Sequence, residues 1–529
     1  MDSKKNLISP LSFLALLVTA CFFCLSAYSG EYLVRMHEPQ NSPEQAQASA
    51  IRAGFDTRSE VQVLNSEEGL IRVVTPGRSA FKSDLESNPE VQATPELVAG
   101  PDFIDTSILK VDASVLSITR NFHHYRPAIH YSFHEVNHDS LFGAVFEGWR
   151  SLMIFLSGNS VPPVGSVPAQ SRGADTLVAQ DYTLSKVGFS PTSAVQSNVI
   201  AAVIDTGVDY NHEDLAAAMW RKPGSGGKVV GHDFVHDTET PYDLVNFNVP
   251  GCMKDPDCRD LGIGVEKYMS NPGHGTHCSG RLGAVFNNSR GLRGVGAGSK
   301  IMALKFFADV GDPNPGEGDD AAAIKSIDYA IKNGVKVISA SWGGRQARVS
   351  AEASELKQAL VRAQKAGVIV VIAAGNDRTD QDTAANPSYP AAYDLDNLIV
   401  VAATDRFDTL ASFSSYGAKT VHIAAPGVKI LSTVANNPVT PPEQGAVRYS
   451  DEVAKYTDQG GKIKVMDWSG TSMATPTVAG AVALVWSQFP REDYHQIRNR
   501  ILSSARKVTG LSGRVSSGGV LDVAGALRK

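Results

Sequence analysis

The sequence predicts an α/β protein with a mostly parallel, doubly wound sheet carrying helices on both faces, preceded by a small α+β module. Short apolar, β-branched runs recur at Val199 to Ile204, Ile301 to Leu304, Val335 to Ser339, Val368 to Ile372 and Leu398 to Ala402. Continuous apolar runs of this length, bounded by Gly, Asp and Asn, are what parallel strands buried on both faces look like. Helical stretches separate them, as the crossovers of parallel pairing require. Asp205 and Asn376 both follow such runs, which places them at strand C-terminal ends, where open α/β sheets bind ligands.

The chain has 529 residues, 43% of them hydrophobic and 20% charged, with a formal net charge of -6. That is more than one ordinary domain, and the charge balance gives no reason to expect nucleic acid as a partner. Residues 1–30 carry two lysines, an apolar stretch and small residues before Glu31, the pattern of a secretory signal. A retained membrane anchor is the alternative, but no membrane contact is expected of the rest of the chain. The tetrapeptide VTAC ending at Cys21 also resembles a bacterial lipoprotein box, although the apolar run continues through Phe22, Phe23 and Leu25. The protein is therefore expected to be secreted or extracytoplasmic, with lipid anchoring through Cys21 as the alternative.

Residues 31–100 read as strand, helix, two strands, helix and strand, a small α+β module. Residues 101–172 form a long spacer. Within it His134, Glu135 and His138 match H-E-x-x-H, and helical spacing would put both histidines on one face for zinc, with Glu135 as base. No third ligand on a supporting helix follows, and the segment is too small for a fold of its own, so catalytic zinc is not expected. The run LFGAVFEGWRSLMIFL needs a covering surface, and SGNSVPPVGSVPAQSRGA lacks periodicity, marking an exposed linker and a candidate processing site.

Residues 173–529 hold the chemistry-bearing blocks: DTGVD from Asp205, GHGTH around His274, AAGND around Asn376 and GTSMATP around Ser472. A serine hydroxyl attacks poorly at neutral pH unless an imidazole takes its proton, and the imidazole needs a carboxylate to fix its tautomer. Any one block also reads as a turn or an N-cap. Four in the order Asp, His, Asn, Ser do not. Cys252 and Cys258 lie in a Pro- and Asp-rich loop and make a plausible disulfide in an exported protein, leaving Cys278 as a small buried hydrophobe.

These blocks resemble those of the subtilisin-like serine proteases. The resemblance implies a subtilisin-like fold and a serine endopeptidase working through an acyl-enzyme, with Asp205 orienting, His274 as base, Ser472 as nucleophile and Asn376 in the oxyanion hole. It implies that His277 is structural. It also implies protein and peptide substrates, with Ser341, Trp342 and Gly343 lining the subsite for the residue before the cut bond and Ala385 to Pro390 forming its other wall. Asp214 and Asn288 match positions that help bind a structural calcium, and catalysis needs no cofactor. Residues 31–100 resemble the inhibitory pro-domain of such zymogens, making the chain's own pro-domain an intramolecular partner. Departures from the family are Thr477 in place of histidine and insertions at about Thr238 to Asn271 and Asn436 to Met466. A catalytically silent homologue acting by binding is the non-enzyme alternative.

Overall fold

The computed structural model describes residues 181–189, 197–244, 273–308, 318–435 and 468–528 with short gaps, together with residues 164–165, 455–457, 463–466 and the strands and helix before residue 140. The chain divides into two compact units, Met1–Phe122 and His123–Lys529.

The first unit is an antiparallel sheet with one described helix. Strand β1 (Gly30–Met36), helix α1 (Pro43–Arg52), β2 (Glu60–Asn65) and β3 (Leu70–Thr75) follow the expected order. Two further strands, β4 (Phe103–Ile104) and β5 (Val115–Arg120), complete the order β2-β3-β1-β5-β4. Residues from the expected spacer therefore build part of this sheet, β5 lying antiparallel to β1. The helix and strand expected between residues 79 and 98 lie outside the described residues.

The second unit opens with β6 (His124–Pro127) and β7 (Phe133–Val136), then helix α2 (Tyr182–Lys186). Strand β8 (Ile200–Asp205), β9 (Gly231–Asp233), helix α3 (His274–Gly283), β10 (Lys300–Lys305), the short β11 (Gly318–Asp319) and helix α4 (Asp320–Lys332) follow. Next come β12 (Val337–Ala340), β13 (Trp342–Arg345), helix α5 (Glu355–Lys365), β14 (Ile369–Ala373), β15 (Ser388–Tyr389), β16 (Leu398–Thr404) and β17 (Ile423–Pro426). The chain closes with β18 (Lys455–Thr457), β19 (Ile463–Met466), helices α6 (Thr471–Gln488) and α7 (Tyr494–Ser503), β20 (Arg506–Lys507), β21 (Gly519–Val520) and helix α8 (Val523–Arg528).

Nine strands form one sheet in the order β20-β21-β17-β16-β14-β12-β8-β10-β9. From β17 to β9 every pairing is parallel. The five apolar runs are β8, β10, β12, β14 and β16, and all of β14 and β16 is buried. Helix α6 packs on β12, β14, β16, β17 and α3, and is buried from Thr471 to Trp486, which explains a helix apolar all round. Asp319 caps α4 by accepting from the Ala322 N–H at 2.7 Å, so the acidic loop ends as a helix start.

The HEVNH reading is corrected. Phe133–Val136 is a strand paired antiparallel with β19, not a helix, so the helical turn on which the H-E-x-x-H reading depends is not formed there; His138 lies outside the described residues.

Candidate active site

Three adjacent strands bring residues to one edge of the large sheet. Asp205 ends β8, Ser341 follows β12, and Asn376 comes three residues after β14. Asp205 Oδ1 accepts from His274 Nδ1 at 2.7 Å and from the Thr206 N–H at 2.8 Å, with both side chains of the Asp–His pair wholly buried. His274 opens α3 after Gly273, whose φ of 85° suits glycine. The approach is close enough that a Cβ on Gly275 would sit 2.1 Å from the Gly207 carbonyl oxygen, which accounts for the glycine inside GHGTH.

Ser472 lies in the first turn of α6. Pro476, inside this helix, has no N–H, so the Ser472 carbonyl has no donor four residues on. That carbonyl instead accepts from Ser341 Oγ at 3.1 Å and Cys278 Sγ at 3.6 Å. Ser472 Oγ in turn donates to the Ser341 carbonyl at 2.8 Å, leaving His274 Nε2 buried without a partner among the described residues. Asn376 is held by its oxygen, which accepts from Thr471 N–H and Thr471 Oγ1, both at 3.0 Å. Its Nδ2 is buried and also without a partner among the described residues. The arrangement presents an acceptor nitrogen, a hydroxyl and an amide donor together.

Burial disfavours the His274 imidazolium, but the Asp205 carboxylate outweighs it, and the group is held well above its ordinary value. His277 goes the other way: burial drives it well below, while its Nε2 meets the Ile430 carbonyl at 3.0 Å and its ring stacks on Trp468 at 4.2 Å. That is a structural histidine. Burial also raises the Cys278 thiol, leaving it protonated and packed in the core.

Ser341 directly precedes Trp342 and Gly343, which open β13, whose backbone pairs with β6 on one side and β15 on the other. The Trp342 indole is 1% exposed and donates to the Ile204 carbonyl at 2.9 Å. Residues Ala385 to Pro390 include β15, the next strand over. Asp214 and Asn288 also come together, Asn288 Nδ2 donating to Asp214 Oδ1 at 2.7 Å and the Leu292 N–H to Oδ2 at 3.0 Å. A buried carboxylate beside an amide that can turn over to present its oxygen fits an oxygen-seeking cation. Cys252 and Cys258 lie outside the described residues.

The motifs did not point to Asp243 and Lys305. Asp243 Oδ1 accepts from Thr206 Oγ1 at 2.8 Å, and its Oδ2 from the Thr276 N–H at 2.9 Å and Thr276 Oγ1 at 2.5 Å. Lys305 Nζ donates to the Thr206 carbonyl at 2.7 Å. Both hold residues adjoining the Asp205–His274 pair in sequence. The only sequence signal for them is a charged residue at a strand end or beside an aromatic.

The fold and the site define a hydrolase with a serine nucleophile at the edge of a parallel sheet. The Peptidase_S8 model, the subtilase family, matches residues 196–518, and the chain belongs to that family. It is a subtilisin-like serine endopeptidase. Thermitase of Thermoactinomyces vulgaris is 36% identical over 310 residues, covering 58% of this chain and 81% of thermitase. Subtilisin DY of Bacillus licheniformis is 32% identical over 311 residues, covering 58% of this chain and 84% of that protein. The crystal structure of fervidolysin from Fervidobacterium pennivorans, described as a keratinolytic enzyme related to subtilisin, superposes with a TM-score of 0.58 at 22% identity. That match covers 95% of this chain and 61% of fervidolysin, and speaks to the fold.

Proposed function

We propose that the protein is a secreted, self-processing zymogen that cuts peptide bonds with Asp205, His274 and Ser472. The observation that carries this reading is the buried 2.7 Å Asp205–His274 contact, with the far imidazole nitrogen unpartnered near a serine at a helix start. Ser472 Oγ swings from the Ser341 carbonyl to His274 Nε2, gives up its proton there and attacks the substrate carbonyl. His274, now cationic and steadied by Asp205, returns that proton to the leaving amine. Water then hydrolyses the acyl-enzyme by the same route. Asn376 Nδ2 and the Ser472 N–H receive the developing oxyanion.

Residues 1–30 act as the export signal, residues 31–100 with β4 and β5 as the inhibitory pro-domain, the rest of 101–172 as the connecting spacer, and 173–529 as the catalytic domain. Asp214 and Asn288 would hold a structural calcium, tying the loop from Val285 to Leu292 to the residues after β8; chelation that leaves the melting temperature unchanged would count against it. The test of the main reading is Ser472→Ala. Wild-type protein should lose its N-terminal region and digest casein, while the variant stays full-length with turnover lower by about 10⁶-fold.

A further inference from the structure

The loop that leads from Asn376 to β15 is tied together by one buried side chain that no motif marks. Gln381, 1% exposed, stands seven residues after Ala374 and seven before Ser388. Its Nε2 donates to the Ala374 carbonyl at 2.9 Å, and its Oε1 accepts from the Ser388 N–H at 2.8 Å. The partners fix which way the amide faces, since a carbonyl requires a donor and an N–H an acceptor. Ala374 directly follows β14 and lies two residues before Asn376, whose oxygen is held by Thr471. Ser388 opens β15, which pairs with β13 through Gly344 and Arg345. A Cβ on Gly343 would sit 2.9 Å from Ser388 Oγ, so the two strands assigned to the substrate subsite approach closely at that residue. The glutamine is itself pinned: its N–H donates to the Tyr416 carbonyl at 2.7 Å, and its carbonyl accepts from Arg348 Nη2 at 2.8 Å. Arg348 also donates to the carbonyls of Asp382 at 3.2 Å and Ala384 at 3.3 Å. A loop fixed at its backbone and at its central side chain transmits a displacement rather than absorbing it.

We infer that Gln381 is a positioning residue for the peptidase reaction, holding the proposed oxyanion donor Asn376 and the proposed subsite wall at Ser388 in one fixed relation. This rests on the serine-protease reading above and adds a residue that acts through others. A single substrate residue must satisfy both places at once: its carbonyl oxygen has to reach Asn376 Nδ2 while its side chain lies against the wall. The glutamine amide joins the backbone behind those two contacts. Ala374 is 0% and Ser388 5% exposed, so water does not readily replace the amide, and its loss leaves a carbonyl and an N–H to find partners by moving. Two replacements separate the ends of the bridge. In Gln381→Glu the carboxylate is acceptor only, so it keeps the Ser388 N–H and loses the donor to Ala374; Gln381→Met fills a similar volume and loses both.

The experiment is a double-mutant cycle. Gln381→Met and Gln381→Glu are made in the full-length chain and again with Asn376→Ala, and each purified enzyme is assayed on one peptide anilide, with rates taken per active site titrated by a serine-directed fluorophosphonate. Gln381→Met should lower kcat by about 10–100-fold and raise KM, because both contacts shift. Gln381→Glu should lower kcat with KM close to that of wild type, because only the Asn376 end is released. With Asn376→Ala in place, the further loss of kcat from either change should shrink to less than about threefold, since the donor it misplaces is already gone. Should Gln381→Met fold poorly, Gln381→Glu carries the cycle by itself. An equal loss of kcat in both backgrounds, or a lowered melting temperature with kcat and KM unchanged, overturns the inference and leaves the protease reading standing. An Asn376→Ala enzyme as fast as wild type overturns the oxyanion role on which the inference rests, and loss of all fluorophosphonate labelling in wild type overturns the serine-protease reading itself.

Discussion

Two buried polar clusters share one end of the large sheet and differ in a single respect. In the upper one, formed by Asp205, His274, Ser472 and Asn376, three buried atoms, Asp205 Oδ2, His274 Nε2 and Asn376 Nδ2, have no partner among the described residues. In the lower one, Asp243 takes three hydrogen bonds from Thr206 and Thr276, and Lys305 caps the Thr206 carbonyl. An unmade hydrogen bond in a buried place costs about 1–3 kcal/mol, so folding alone would not place three together. Other buried atoms, such as Arg281 Nε, also have no partner among the described residues, but these three belong to the residues of the proposed catalytic group. The lower cluster is tied by hydrogen bonds within the fold; on the proposed mechanism the upper one keeps donors and acceptors in reserve for a transition state.

The contrast predicts that the two clusters fail differently. Asp205→Asn should lower turnover by about 10⁴-fold with little change in melting temperature, because the imidazole loses both its tautomer and its counter-charge. The same variant tests the electrostatics. His274 must be neutral to accept a proton, so activity is lost as pH falls through its raised value. The acid limb of kcat/KM in wild type should therefore lie above the ordinary imidazole range near about 6.5, and move down in Asp205→Asn. A wild-type limb at or below that range would break the argument. Asn376→Ala should cost about 10²–10³-fold in kcat with KM nearly unchanged, the size found for such a donor in subtilisin itself; a loss confined to KM would make it a binding residue. Asp243→Ala should instead appear first in unfolding, at about 2–3 kcal/mol, since it strands three buried donors. Its loss of activity should be smaller than that of Asn376→Ala. Denaturant curves set beside steady-state kinetics decide the case, and a stable Asp243→Ala with no activity would put Asp243 in the upper cluster.

The large sheet was legible because its signal is local. Each of the five apolar runs is a strand within one or two residues, since a strand buried on both faces must be apolar throughout. Asp205 and Asn376 were placed at strand ends by the same reasoning. The N-terminal module was legible in its first four elements, whose alternation is equally local, but β5 was not, because Val115–Arg120 joins that sheet only by pairing with β1 and β4. The H-E-x-x-H match failed for a related reason. Local spacing is neutral between helix and strand over five residues, and β19, more than 300 positions away, decides for strand.

By itself the sequence nominated the residues proposed to carry the chemistry and their order, because side-chain type fixes what a group can donate, accept or attack with. The tertiary structure decided which of them are left unpartnered. It decided that Asp243, 37 residues from Thr206 and 33 from Thr276, bonds to both, and that Pro476 frees the Ser472 carbonyl for Ser341 and Cys278. All are questions of which groups meet across long stretches of chain, and a hydrogen bond leaves no mark on the sequence between its ends.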